Sequence, residues 1–250
     1  ALRIAGGAGL FVTVLAQPVD WTWLFLLPLA VLIAWHPFVA VMPSGFIRAR
    51  AGLAGAVMLH FLLFYAFYAA ELFMPLMMID FLGISSSVTG LAFTCAAIAW
   101  IAASFSQAWL SNRISLYQSL LLGMAFTTVG LAMAAAILVP DMHYAIVYPA
   151  WALAGIGMGI SFNTLVSATM DFTRKGEEGA TSTANGIAGS MAIGLAAGVG
   201  GAITNHGELA GYGLDQSLAL VWLMTGVACV ACFWVIWLRF RPLVLASVAN

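Results

Sequence analysis

The chain has 250 residues, of which 64% are hydrophobic and 7% charged, with a mean hydropathy of +1.06. Soluble domains carry about 25% charged residues, so this composition excludes a soluble globular protein and requires one built into a bilayer. A net charge of −1 and a pI near 6.4 leave no basic surface, which excludes nucleic acid as a partner.

Crossing a bilayer takes about 20 apolar residues, and eight stretches meet or approach that length: 4–17, 20–41, 52–79, 86–110, 116–139, 144–171, 181–204 and 216–239. The fold class expected is therefore an all-α membrane protein of eight transmembrane helices. The first stretch is short, as a truncated or tilted helix would be. The connections are brief and carry turn and cap residues, with Pro43-Ser44-Gly45 after the second span, Ser85-Ser86-Ser87 before the fourth and Gly211-Tyr212-Gly213 before the eighth. No stretch remains for a soluble domain. The chain opens on Ala1 without a signal-peptide pattern and is expected to be a piece of something longer.

Charge tests the count independently, because an even number of crossings puts both ends and every second loop on one side. Arg3, Arg48, Arg50, Arg113, Arg174, Lys175, Arg239 and Arg241 all fall on that side. The opposite loops hold Asp20, Asp80, Asp141, Glu208 and Asp215 and no Lys or Arg. The bias toward cytoplasmic Lys and Arg then makes both termini cytoplasmic. Trp21, Trp23 and Trp222 near outer ends, and Trp109, Trp234 and Trp237 near inner ones, read as aromatic belts.

The third span carries residues that apolar helices do not collect cheaply. His60 and Glu71 are eleven residues apart, which on a helix places them about 20° apart in azimuth and about 16 Å apart along the axis. They share one face and straddle the membrane centre. Phe64, Phe67, Tyr68 and Pro75 lie on or beside it, so the pair is expected to look into an aromatic-lined space. A carboxyl in hydrocarbon must meet water, find a partner or hold its proton, and is a functional candidate by default. Glu71 is therefore the proton-coupling candidate, with His60 second to it; a hydrogen-bonded structural acid and a packed structural histidine are the plain alternatives. Pro75 removes a backbone donor one turn beyond Glu71, where the helix is free to kink. Tyr68, Phe64, Trp100 and Asn163 are the candidate substrate contacts; Trp100 lies near mid-membrane, where a lipid-facing or packed role is the alternative.

Other polar groups within the spans are Ser104, Ser106 and Gln107 in the fourth, Ser161, Thr164 and Ser167 beside Asn163 in the sixth, and Thr183 and Asn185 in the seventh. Interhelical hydrogen bonding accounts for such groups at about 1 kcal/mol or less each. Gly155, Gly157 and Gly159 punctuate the sixth span, and Gly186, Ser190, Gly194, Gly198 and Ala202 recur every fourth residue in the seventh, as close helix packing requires. Gly155-Ile-Gly-Met-Gly159 is not a dinucleotide loop, since Ile160 stands where the third glycine belongs. Cys229-Val-Ala-Cys232 has the spacing of a redox or metal pair but sits mid-span without further ligands, so no cofactor and no metal are expected. No nucleophile, base and orienting acid share one depth, which leaves an enzyme reading without a constellation.

Two segments carry a resemblance to a known family: MPSGFIRARAGLAGAVMLHFLLFYAFYAAELFMPLMMIDFLGISSSVTGLAFTCAAIAW and GIGMGISFNTLVSATMDFTRKGEEGATSTANGIAGSMAIGLAAGVGGAI. They resemble bacterial members of the major facilitator superfamily, especially fourteen-helix proteins of the drug:proton antiporter kind. The similarity covers about residues 42 to 205. It implies that residues 1–45 are two linker helices inserted between bundles and residues 46–250 the C-terminal six-helix transporter bundle. In Ser111-Asn112-Arg113-Ile114-Ser115 only Arg113 matches the family's cytoplasmic loop motif. Relatives similarly carry an acid where Glu71 stands, whereas the position of His60 is more often basic. The resemblance implies alternating access with small-molecule substrate and protons bound near the midplane, a location in the bacterial inner membrane, and a missing N-terminal six-helix bundle as partner. Proton-coupled export of amphipathic molecules is the first expectation. A non-transporting scaffold or sensor, or a metabolite importer, are the alternatives.

Overall fold

A computed structural model describes residues 2–17 and 20–242, so the two chain ends, whose side the charges assign, lie outside the described residues. Each apolar stretch becomes a helix: α1 Leu2–Leu15, α2 Trp23–Val41, α3 Leu53–Pro75, α4 Ser86–Leu110, α5 Leu116–Ala135, α6 Val147–Asp171, α7 Glu178–Leu209 and α8 Leu214–Val235. Short 3-10 or π turns extend several of them. Seven are long and apolar enough to cross a membrane, and α1, with 14 residues, is shorter. It rises about 21 Å at 1.5 Å per residue, against a hydrocarbon core of about 30 Å. Seven crossings thus stand on length and composition. The charge alternation among the loops from Pro43 onward does not depend on α1; only the side of Arg3 does.

Local chemistry fixes the helix ends. Ser85 Oγ accepts from the Val88 amide at the start of α4. At α5 the Ser115 amide donates to Gln118 Oε1 at 2.9 Å and the Gln118 amide donates to Ser115 Oγ at 3.3 Å, a reciprocal cap on two donors the helix leaves open. Gly211, at φ 78°, turns the chain out of α7 in the left-handed region that glycine adopts without penalty. Beyond Pro75 the backbone widens into a π turn over Leu76–Phe81, so the missing proline donor is absorbed as looser winding.

Helix α6 is the centre of one half of the bundle, with α4 and α5 both lying along it. Its three glycines divide the work. An added Cβ at Gly157 would collide with the Thr127 amide nitrogen and Oγ1 on α5, and one at Gly159 would sit 2.6 Å from the Trp100 carbonyl oxygen on α4. Backbones therefore meet directly, as small residues permit. The other half is α3 packed on α7 and α8, while α1 pairs with α2 and lies along α7. Fully buried Trp151, Phe67 and Met74 belong to the core that joins the halves.

Two expectations change. The every-fourth-residue ridge of α7 is not one packing face: Gly186 and Gly194 have nothing within 4 Å of an added Cβ, whereas Gly198 packs on Val12 of α1. A step of four residues advances about 40° on a 3.6-residue helix, so the row spirals from open groove into contact. Close approach to α3 uses Gly189 and Gly200 instead, which face His60 and Phe73. Trp222 is no belt residue either. It is 7% exposed and lies edge-on to Trp151 with centroids 6.2 Å apart. Trp21, Trp109, Trp234 and Trp237 are exposed as belts require, and the Arg113 guanidinium sits 4.1 Å over the Trp109 ring.

Candidate functional site

The face of α3 that carries His60 and Glu71 is lined by aromatic rings from three helices. His60 stacks on Phe64 with centroids 4.4 Å apart and an interplanar angle of 21°. Phe162 of α6 lies 5.7 Å from both rings. Phe64 continues to Tyr68 at 5.4 Å, Tyr68 to Phe67 at 5.5 Å, and Phe67 meets Trp100 of α4 edge-on at 5.8 Å. Trp100 closes the circuit on Phe162 at 6.0 Å. Offset and edge-on geometries of this kind add to the area they bury. The structure thus brings together His60, Phe64, Tyr68 and Trp100, four of the residues singled out from sequence.

Glu71 follows Tyr68 by three residues, one turn further toward the C-terminal end of α3 on the same face. It is half-buried, and its Oε2 is enclosed with no hydrogen-bond partner among the described residues. His60 is 4% exposed and its Nδ1 is likewise enclosed and unpartnered. The two ionisable groups do not share a pocket. His60 opens into a cavity of about 350 Å³ between α3, α6 and α7, whose lining does not include Glu71.

Asn163 is placed elsewhere. Its Nδ2 donates to the Gly159 carbonyl at 2.8 Å, and the side chain lines a second cavity of about 510 Å³ between α4, α5 and α6. Gln107 lines that cavity too, held by a 2.6 Å bond from its Nε2 to Thr164 Oγ1. One residue on a helix is a turn of about 100°, and so Phe162 faces the aromatic site while Asn163 faces away from it. Phe162 carries no sequence signal that separates it from other aromatics in apolar helices. Asn185 does carry one, as an amide inside a span. It lines the His60 cavity from α7, with Nδ2 donating to Thr169 Oγ1 at 3.0 Å and Oδ1 enclosed and unpartnered. No group of three or more metal-ligating side chains occurs among the described residues.

A helical bundle with seven membrane-length helices and an internal aromatic face holding an acid and a histidine defines a polytopic membrane protein of the transporter class. The sequence profile of the Major Facilitator Superfamily matches residues 56–248, and the chain belongs to that family. It is accordingly a secondary transporter of small molecules across a bilayer, from a family whose members are not enzymes. Comparison with curated proteins finds no match.

Proposed function

We propose that the chain is the C-terminal part of a proton-coupled transporter that exports amphipathic small molecules by alternating access, with Glu71 exchanging the proton. The observation that carries this reading is the enclosed, unpartnered Oε2 of Glu71 inside the bundle, one turn from Tyr68. An acid held there by a hydrogen bond would have a structural task; this one has none among the described residues, and an intramembrane acid without such a task marks a proton or ion path. Gaining or losing a proton changes the charge on the buried face of α3, which alters the relative stability of inward-open and outward-open arrangements. Substrate and proton sites near the midplane between two bundles are the arrangement this mechanism uses, so a second six-helix bundle is the partner the reading requires. The eight basic residues support cytoplasmic termini, and the resemblance to efflux-like proteins supports the bacterial inner membrane and an outward direction.

The test is Glu71→Gln in the full-length protein, assayed in everted vesicles for substrate-induced collapse of an imposed pH gradient. The expected result is normal expression with proton-driven flux lost; unchanged antiport removes Glu71 from the mechanism. Movement of substrate only with, and never against, the proton gradient would make the protein an importer.

A further inference from the structure

We infer that the apolar groove walled by α1, α2, α3 and α7 holds one acyl chain of an anionic phospholipid, whose phosphate is met by Arg48, Arg50 and Arg239 at the groove's mouth. Such a site needs neither Glu71 nor flux and stands apart from the transport reading.

The groove begins at Ile47, in the turn between α2 and α3, and runs past Phe38 to Ala30, about 12 Å along α2. Phe46 and Phe61, edge-on at 6.4 Å, close one side. None of the lining side chains carries a charge, a hydroxyl or an amide. A polar ligand entering there would lose its bonds to water and gain none. Val31, Trp35 and Ile47 are 44%, 51% and 52% exposed, so the open side of the groove is an outer face of the bundle. Size selects among apolar occupants. One turn of helix with its side chains fills about 420 Å³, taking a cylinder about 10 Å wide, whereas the whole groove holds about 330 Å³. A polymethylene chain fits and a helix does not.

The mouth is basic. Ile47 leads directly into Arg48. The Gly45 carbonyl accepts from the Arg48 amide at 3.1 Å and from the Arg50 amide at 3.2 Å, which holds both arginines on one turn. Arg239, in the π turn that extends α8, donates from Nη2 to the Arg48 carbonyl at 3.0 Å and brings a third guanidinium to that turn. The sequence has no acid between Asp20 and Glu71 and none after Asp215, and among the described residues no carboxylate pairs with any of the three. Guanidinium groups grip phosphate through paired N–H donors, and basic pockets at the ends of membrane helices select acidic headgroups. An apolar slot that ends in uncompensated positive charge matches a lipid whose chain and phosphate join at that depth.

The full-length protein in mild detergent is titrated with dioleoyl phosphatidylglycerol and dioleoyl phosphatidylcholine, which carry the same chains, and bound lipid is counted by native mass spectrometry. Phosphatidylglycerol is expected to bind at one site roughly tenfold more tightly, within what three basic residues supply. Arg48→Gln combined with Arg50→Gln, both at exposed positions, weakens phosphatidylglycerol alone and brings the ratio to about two or less. Val31→Phe fills the groove from its open side and weakens both lipids about tenfold, the equivalent of two methylenes left unburied, with no change in melting temperature. One equivalent of phosphatidylglycerol brominated at mid-chain quenches fluorescence that Trp35→Phe lacks; this readout carries the test if Val31→Phe does not fold. Equal affinities for the two lipids, a preference untouched by the double substitution, unchanged binding in Val31→Phe, or no quenching of Trp35 overturns the site. Competition by millimolar glycerol 3-phosphate would make it a site for free phosphate, and a groove covered by another part of the full-length chain would bind no lipid; either result overturns it too.

Discussion

Gly157→Ala asks whether the α5–α6 seam is set by backbone contact. A methyl group there meets Thr127 and, at 2.5 Å, the carbonyl oxygen of Gly123. Ordinary contact begins near 3.4 Å, so the helices must part by about 1 Å. A gap of that size forfeits roughly a quarter to a half of each dispersion contact along the seam. Overpacking costs about 1–3 kcal/mol, and the upper part of that range applies because backbone, unlike a flexible side chain, has nowhere to turn. Alanine returns up to about 1 kcal/mol through helix propensity, which leaves a net loss of about 1–2 kcal/mol. The same substitution at Gly186, where nothing lies within 4 Å, is expected to be neutral or slightly stabilising. Reversible unfolding of the purified protein in mixed micelles with rising SDS measures both. Equal midpoints for Gly157→Ala and the unsubstituted protein would refute backbone contact as the basis of this seam.

Ser115→Ala removes the reciprocal cap at the start of α5 and is expected to cost about 1 kcal/mol, read as a lower SDS midpoint; Gln118→Ala should show a partial loss of the same kind. Single cysteines placed at Asp141 and at Arg174, in a background lacking Cys95, Cys229 and Cys232, are expected to react with a membrane-impermeant thiol reagent from opposite faces, the first from outside intact cells and the second only in everted vesicles. Labelling of both from one face contradicts the alternation of charge among the loops.

Much of the fold is legible because apolar length is so direct a requirement of the bilayer. The stretch expected at 86–110 is the helix Ser86–Leu110, bounded by serines on one side and the Arg113 loop on the other. Helix α7 is less legible: the stretch 181–204 becomes Glu178–Leu209. Its C-terminal end keeps winding through polar residues because the fold supplies them with partners: Asn205 Nδ2 donates to the Ala16 carbonyl and His206 Nε2 to that of Leu15. Which helices pair is not written in hydrophobicity, since lipid and protein neighbours are equally apolar. For that reason Trp222, near a helix end, reads as a belt residue until Trp151 is found beside it. Site residues on α3 were visible through their cost in hydrocarbon. Phe162 was not, since a phenylalanine in a membrane helix costs nothing, and Asn163 drew notice in its place although it faces the other cavity.

Contacts of backbone on backbone leave α4, α5 and α6 no inexpensive way to slip past one another. Moving α6 by one residue would bring Met158 or Ile160 to where Gly159 now clears the Trp100 carbonyl. These three helices are held as one plate, and the seams filled by side chains, between that plate and α3, α7 and α8, are where the bundle has freedom to deform. The glycines of α6 act as rivets, and any pivoting belongs to the other side of the molecule, where α3 carries its acid.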